Sequence, residues 1–296
     1  MTESPESPES PERHFWTLIE PIHAITYFAP ECQEVFEAAG LKGFWRGYFG
    51  GRAAPLGAAE AGSVVALFFG FHQDFVARAV PDIWQRCSPA DALGARLAGV
   101  DAAWSAHVER VDKMQLKRAA FILRVAAESV SDDRRPMFQA NLALDAPTEP
   151  HLALWHWATV LREHRGDGHL IALAAHEIGP CDAHVLRLAR TGDAVDTIKP
   201  FRGWSDEDWI AAVGRLFDRA AIDEVGAITD DGVALHDAVE TLTDELARQP
   251  VRAVQSELAE LAHIVTPVLR NLVIAPRSPG VIPYPNPMGV EPFDPS

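Results

Sequence analysis

Six of the twelve histidines fall between His151 and His184, in the stretch EPHLALWHWATVLREHRGDGHLIALAAHEIGPCDAH. Imidazole serves as metal ligand, acid or base near neutral pH, so this is the first place to look for chemistry. Pro150 suits the first turn of a helix, where a missing N–H costs nothing. On the helix that follows, Leu152, His156, Thr159 and Glu163 share one face, so His156 and Glu163 project to the same side two turns apart. The spacing predicts that this helix ends at HRGDGH. Gly166 and Gly168 permit a sharp turn there, and Asp167 caps a second helix that returns His169 toward the first. If the chain is an enzyme, His156, Glu163 and His169 are its catalytic set, with a histidine as base or metal ligand and the carboxylate as proton partner. His164 and Asp167 in the same polar segment are candidate ligand contacts. No HExxH, HxxxH or Cys–His finger spacing is present, so the stretch names no metal and no cofactor. The bland alternative is that Trp155 and Trp157 pack the core while Arg162, Glu163, His164 and Arg165 form a polar network between helices.

Two earlier segments supply groups that could complete a ligand site. In PIHAITYFAPE, His23 and Tyr27 stand one turn apart on one helical face, and the phenol can orient the imidazole or a ligand. In GFWRGYFGGRAAPLG, the glycines allow close backbone approach, and Arg46 and Arg52 offer planar donors to clamp a carboxylate or phosphate. The segment lacks both GxGxxG and GxxxxGK, so nucleotide binding has little support.

The elements that must hold these residues read mostly as helices. Apolar spacing predicts helices over 16–28 and 31–40, a nearly all-apolar buried helix over 60–70, and further helices through 72–130. No apolar run approaches the ~20 residues a bilayer span needs. The acidic, proline-rich start MTESPESPESPERH has neither a basic nor a hydrophobic signal region. Cys32, Cys87 and Cys181 form no CxxC pair and read as free thiols. These features place the chain in the cytoplasm, away from membranes. Residues 1–13 read as a disordered leader, and seven prolines between Pro276 and Ser296 exclude a regular helix at the other end.

The stretch 204–248 has the clearest local grammar. Ser205 and Asp208 form a capping box, followed by a helix expected to bury Trp209, Ile210, Val213, Leu216 and Phe217. Then come two short β-type pieces around Gly226, and a second helix capped by Thr229. The string WIAAVGRLFDRAAIDEVGAITDDGVALHDAVETLTDELA resembles the recognition helix, wing and following helix of MarR-type winged-helix regulators, with Leu216, Arg219, Ile222, Ile228, Thr229 and Gly232 at the matching positions. Over nearly its whole length the chain is similar to a widespread actinobacterial family of helix-turn-helix proteins, through HAITYFAPE, GYFGGRAAPLG, LREHRGDGH and PNPMG. That resemblance brings no established activity with it. It departs from DNA binders in charge. From Phe201 to Pro250 there are twelve Asp or Glu against four Arg and no Lys, within a chain of net charge −16. Phosphate recognition relies on cations, so this unit would repel DNA.

The expected fold is therefore mainly α. A multi-helix domain over 14–192 carries the ligand site, a winged-helix unit with a minimal β-wing spans 193–275, and a proline-rich tail covers 276–296. The function that fits is a small-molecule-binding regulatory or accessory protein whose winged helix does not grip DNA. An enzyme with a His/Glu site, metal-assisted or not, and a true transcriptional regulator are the alternatives, and a homodimer stays open.

Overall fold

In the computed structural model of the chain, residues 10–108, 111–130, 134–273, 280–284 and 286 are described. The fold is mainly α, and among the described residues no strand forms. Ser10 caps the first helix by accepting from Arg13 N, so α1 (Pro11–Phe28) begins inside the stretch expected to be leader. Pro30 opens α2 (Pro30–Ala38), and α3 (Phe44–Ala53) carries the glycine–arginine segment. The apolar run 60–70 becomes α4 (Ala61–Phe68). Two short helices, α5 (Gln73–Ala77) and α6 (Ile83–Arg86), lead into α7 (Pro89–His107), whose N-terminus is capped by Ser88. Next come α8 (Lys113–Glu128), α9 (Pro136–Leu142) and the longest helix, α10 (Pro150–Ala175).

The unbroken course of α10 corrects the expectation of a turn at HRGDGH. Each interior glycine costs a helix about 1 kcal/mol, but α10 is buried against α1, α7, α8, α9 and α14, and that packing outweighs the propensity loss. Gly168 has a packing reason. A Cβ there would stand 3.0 Å from Arg135 Nη1 and 3.3 Å from Leu246 Cβ.

The C-terminal part comprises α11 (Pro180–Thr191), α12 (Lys199–Arg202), α13 (Asp206–Asp218), α14 (Asp230–Leu246), α15 (Arg248–Ala253) and α16 (Leu258–Leu269). Ser205 and Asp208 form the expected capping box of α13, and Thr229 caps α14 by accepting from Gly232 N at 3.0 Å. The expected β-wing is not formed. Ile222 and Ile228 share a single antiparallel bridge, because Asp223 draws Val225 N and Ala227 N onto its own carboxylate and closes the segment as a tight turn. Gly232 is required here, since a Cβ would lie 1.9 Å from the Ala221 carbonyl oxygen. Ile210 and Phe217, expected in the core, are exposed on α13, at 71% and 46%. Trp209, Ala212 and Leu216 are the residues that face inward, because α13 packs along α11 on that side.

Three hydrophobic cores result. The first gathers α1, α7, α8, α10 and α16 around Ile22, Leu123, Trp155 and Leu261. The second is aromatic, built by α2 to α6 around Phe36, Phe49, Phe68 and Phe71. The third joins the end of α10 to α11, α13 and α14 through Leu173, Val185, Trp209 and Val239. In the tail, Ile282 is fully buried in the first core, and the Asn286 carbonyl accepts from Arg187 Nη2 at 3.3 Å.

The seam between the first two cores depends on Gly99 of α7, which lets α2 approach until a Cβ would meet Cys32 Cα at 2.8 Å. Gly99→Ala is expected to destabilise the fold by about 1–3 kcal/mol through overpacking. An unchanged urea midpoint would show that the two helices are free to part.

Candidate functional site

α1, α3 and α10 meet at the seam, and each contributes polar side chains. Glu163, 2% exposed, accepts from Arg52 through Nε to Oε1 at 3.0 Å and Nη2 to Oε2 at 3.1 Å. Arg162 adds Nη1 to Oε2 at 2.9 Å and, through Nε, reaches Glu20 at 3.2 Å. Trp16 Nε1 donates to the same Glu20 at 3.1 Å. Arg52 Nη1 donates to the Tyr48 hydroxyl at 3.1 Å, and its guanidinium lies 4.2 Å from the centre of the Phe68 ring. Burial alone would raise the Glu163 carboxyl, but the Arg52 and Arg162 charges outweigh it and hold the group well below the usual range.

Beside this network stands a hydrogen-bonded chain whose direction can be deduced. The Thr159 hydroxyl donates to the Trp155 carbonyl at 2.9 Å, so its oxygen is left to accept from His23 Nδ1 at 3.0 Å. His23 therefore carries its proton on Nδ1, and its Nε2 accepts from the Tyr27 hydroxyl at 2.9 Å. Burial, with help from Arg162, pushes His23 well below the ordinary histidine value, and burial pushes the Tyr27 phenol up.

His23, Tyr27, Arg52 and Glu163 line a small internal space with room for about one water, together with Thr26, Phe36, Tyr48, Arg96 and Trp155. It adjoins a second, equally small space through shared walls of Thr26, Tyr27, Phe36, Gly47 and Tyr48, with half-exposed Phe44 also lining the outer space. Two wall groups have unmet hydrogen-bonding capacity. The Thr26 hydroxyl, in a residue 4% exposed, has the Cys32 thiol beside it and no hydrogen bond to nitrogen or oxygen. Arg96, at 6% exposed, bonds only from Nη1, to the Gly51 carbonyl at 3.2 Å and Asn141 Oδ1 at 3.4 Å. Both acceptors are neutral, and burial lowers the Arg96 guanidinium to about 10.

Of the residues singled out from the sequence, His23, Tyr27, Arg52 and Glu163 converge here. The others lie elsewhere. His156 is buried against Trp157 with its Nε2 unpartnered and does not line the cavity. Trp155 and Glu163 are the α10 residues that line the space, and His156, close to Glu163 in helical phase, lies two turns away along the helix against Trp157. His164 receives Arg135 on both its carbonyl (2.7 Å) and Nδ1 (3.2 Å). Asp167 caps α9 instead of a new helix, accepting from Phe138 N at 3.0 Å, and burial raises it to about 6. His169 bonds Thr243 of α14 at 3.0 Å, because the continuous α10 carries it away from the site. Arg46 pairs with Asp82 at 3.7 Å on the surface. It lies six residues from Arg52, so the two point about 120° apart on one helix and cannot clamp the same group. Arg96, Tyr48 and Thr26 escaped notice. Arg96 had a signal, since it sits on the small-residue face of α7 with Ala92, Ala95, Gly99 and Ala103, where an unpaired cation is costly. Among the described residues no group of three or more His, Cys, Asp or Glu is placed to hold a metal ion.

In this mainly helical chain α11 and α13 pack together and α14 follows. Residues 12–281 match a helix-turn-helix family, and the chain belongs to it. No curated protein and no solved structure matches the chain.

Glu163→Gln leaves two arginines facing a neutral amide and is expected to cost about 3 kcal/mol or more, read from denaturant unfolding. Stability should also fall in mild acid. His156 and His164 have folded values of about 4 and about 3, below the unfolded 6.5. Their contributions are complete above pH 6.5 and are lost as pH falls toward pH 4, by up to roughly 1.4 kcal/mol per pH unit each. Asp167, raised to about 6, acts with the opposite sign and offsets part of this. His156→Phe should flatten the slope between pH 7 and pH 5, and a wild-type profile already flat there would contradict the assignment of neutral buried histidines.

Proposed function

We propose that this helix-turn-helix protein is a small-molecule-binding regulatory or accessory protein. Its ligand occupies the cavity between α1, α2, α3, α7 and α10, and its acidic C-terminal unit serves packing or protein contact. The observation that carries this reading is the buried polar cluster of His23, Tyr27, Arg52 and Glu163 around a small internal space, with a second small space beside it walled by Phe36, Phe44 and Tyr48.

The ionisation of that floor favours binding over catalysis. A general base needs a value near the working pH. His23 is shifted well below it, Tyr27 above it, and Glu163 is tied as a carboxylate between two guanidiniums. The groups are placed to orient a ligand, and none is poised to exchange a proton with one.

Charge on the C-terminal unit argues against DNA. A reading helix must offer cations to phosphates, yet the basic residues here are engaged internally. Arg215 holds Asp182, Lys199 holds Asp206, Arg219 bonds the carbonyls of His176 and Glu177, and Arg202 stacks 4.4 Å from the centre of the Phe71 ring. The outer side of α13 presents Glu207, Ile210, Gly214, Phe217 and Asp218. The likeness of this stretch to MarR-type regulators fits a unit that keeps the helical arrangement for contacts with protein. Elsewhere, Arg118 and Arg124 of α8 pair with Glu260 and Glu128.

Thermal melts across a panel of small aromatic acids, amides and alcohols are expected to show stabilisation by at least one class. Thr26→Leu, which fills the junction of the two spaces, should remove that shift while leaving the far-ultraviolet circular dichroism unchanged. Gel shifts against genomic fragments at low salt should show weak binding or none. Specific nanomolar binding there would establish the transcriptional-regulator reading instead.

A further inference from the structure

We propose that α8 of one copy of this chain docks on α13 of another, the basic stripe of the first helix lying along the acidic stripe of the second. This rests on the reading of the acidic C-terminal unit as a protein-contact unit and names its partner. It is independent of the small-molecule site.

The two helices are opposites in charge. α8, KMQLKRAAFILRVAAE, holds four cations against one carboxylate, inside a chain of net charge −16. Its inner face, with Leu116, Ala119 and Leu123, packs toward α10, α15 and α16. Its outer face carries Met114 at 68% exposure and Phe121 at 46%. Lys113, Lys117 and Arg124 are exposed beside them, and the Arg118 and Arg124 guanidiniums stand 5.8 Å and 5.3 Å from the centre of the Phe121 ring. α13, DEDWIAAVGRLFD, inverts this composition, with four carboxylates against one cation. That cation, Arg215, is tied to Asp182. Ile210 and Phe217 face outward on α13, and Glu207 and Asp218 are exposed beside them.

The stripes also match in length. Met114 and Phe121 are seven residues apart, as are Ile210 and Phe217, which sets each pair about 10 Å apart along its axis. Lys113 and Arg124 are eleven residues apart, as are Glu207 and Asp218. With the helices parallel, Met114 falls beside Ile210 and Phe121 beside Phe217, while Lys113 reaches Glu207 and Arg124 reaches Asp218, all within about one helical turn. Gly214 stands at the middle of the α13 stripe, where a Cβ would meet nothing within 4 Å, so a partner helix can approach closely.

Charge complementarity selects a second copy as the occupant. Two α13 stripes would set acid against acid, two α8 stripes cation against cation, and phosphates are repelled by the α13 carboxylates. Each stripe has its complement on the same chain. Both face solvent within one copy, because α8 packs on α10, α15 and α16 whereas α13 packs on α11, so the pairing is made between copies. The pair of Arg124 with Glu128 at 3.9 Å is exposed and competes little. One helix-on-helix contact is small beside the roughly 1,200–2,000 Å² of a stable interface, so association is expected in the micromolar range.

The test is sedimentation velocity and light scattering of the full chain at low salt, from micromolar to several hundred micromolar concentration. Mass is expected to rise with concentration, and high salt should weaken the association several-fold. Lys113→Glu with Arg124→Glu should weaken it at least about tenfold, and so should Glu207→Lys with Asp218→Lys. Mixing the two double variants, or placing all four reversals in one chain, should restore association, because each acidic stripe then faces a basic one again. These residues are exposed, so the far-ultraviolet circular dichroism should not change. Phe121→Ser and Ile210→Ser give an uncharged check, each weakening association about tenfold. A chain that is monomeric at every concentration, leaving both stripes to foreign partners, would overturn the proposal. An unaffected oligomer in either double variant, or a mixture that stays monomeric, would do the same. Specific nanomolar gel shifts with genomic fragments would instead sink the protein-contact reading, whatever mass is measured.

Discussion

The carboxylate of Glu163 accepts from Arg52 on one side and Arg162 on the other, and through them it fixes three helices that are far apart in the chain. Arg162 continues the chain of charges to Glu20 and so to Trp16, while Arg52 continues it to Tyr48. Charges this deep cost several kcal/mol each unless every one is met by a partner, and here each of the four charges has an opposite charge within hydrogen-bond distance. Such an arrangement tolerates little sliding. It holds α1, α3 and α10 in one register and sets the floor of the cavity as a consequence. The same pairing keeps Glu163 ionised and helps to keep His23 neutral, so the floor is stable because its protons do not move.

That constraint separates the two kinds of buried polar group in the molecule. Most are paired within the fold. Arg165 meets Asp244, Arg135 meets the His164 and Leu246 carbonyls, and Asp182 meets Arg215. Others are less fully met: Arg96 bonds only from Nη1, and His156 Nε2 is buried without a hydrogen-bond partner. α10 links this seam to the third core. The helix that supplies Trp155 and Glu163 to the seam supplies Ala172 and Leu173 to the third core, within one unbroken span.

Much of the fold was legible in the sequence because its signals are local. Ser205 with Asp208, Thr229 before an acidic first turn, and Pro30 and Pro150 at helix starts act through neighbours one turn away and behave the same in any context. The turn predicted at HRGDGH failed for the opposite reason. Gly166 and Gly168 are weak helix formers, but burial against five other helices decides their conformation, and that burial is invisible in a window of twenty residues. The β-wing failed similarly, because Asp223 closes a tight turn before strands can extend.

Residue types and periodicity alone determined that this chain is mainly helical, acidic and without a long apolar span, and offered His23, Tyr27, Arg46, Arg52, His156, Glu163, His164, Asp167 and His169 as candidate groups. Only the tertiary structure decided which of them meet. Helical phase turns by about 100° per residue, so small differences in packing choose Trp155 over His156 and Arg52 over Arg46 as the side chains that face the seam. Arg96 became part of the site through a neighbouring helix with no motif of its own. Membership of a site depends on where helices cross, and crossing is set by the shapes of packed side chains far apart in the chain.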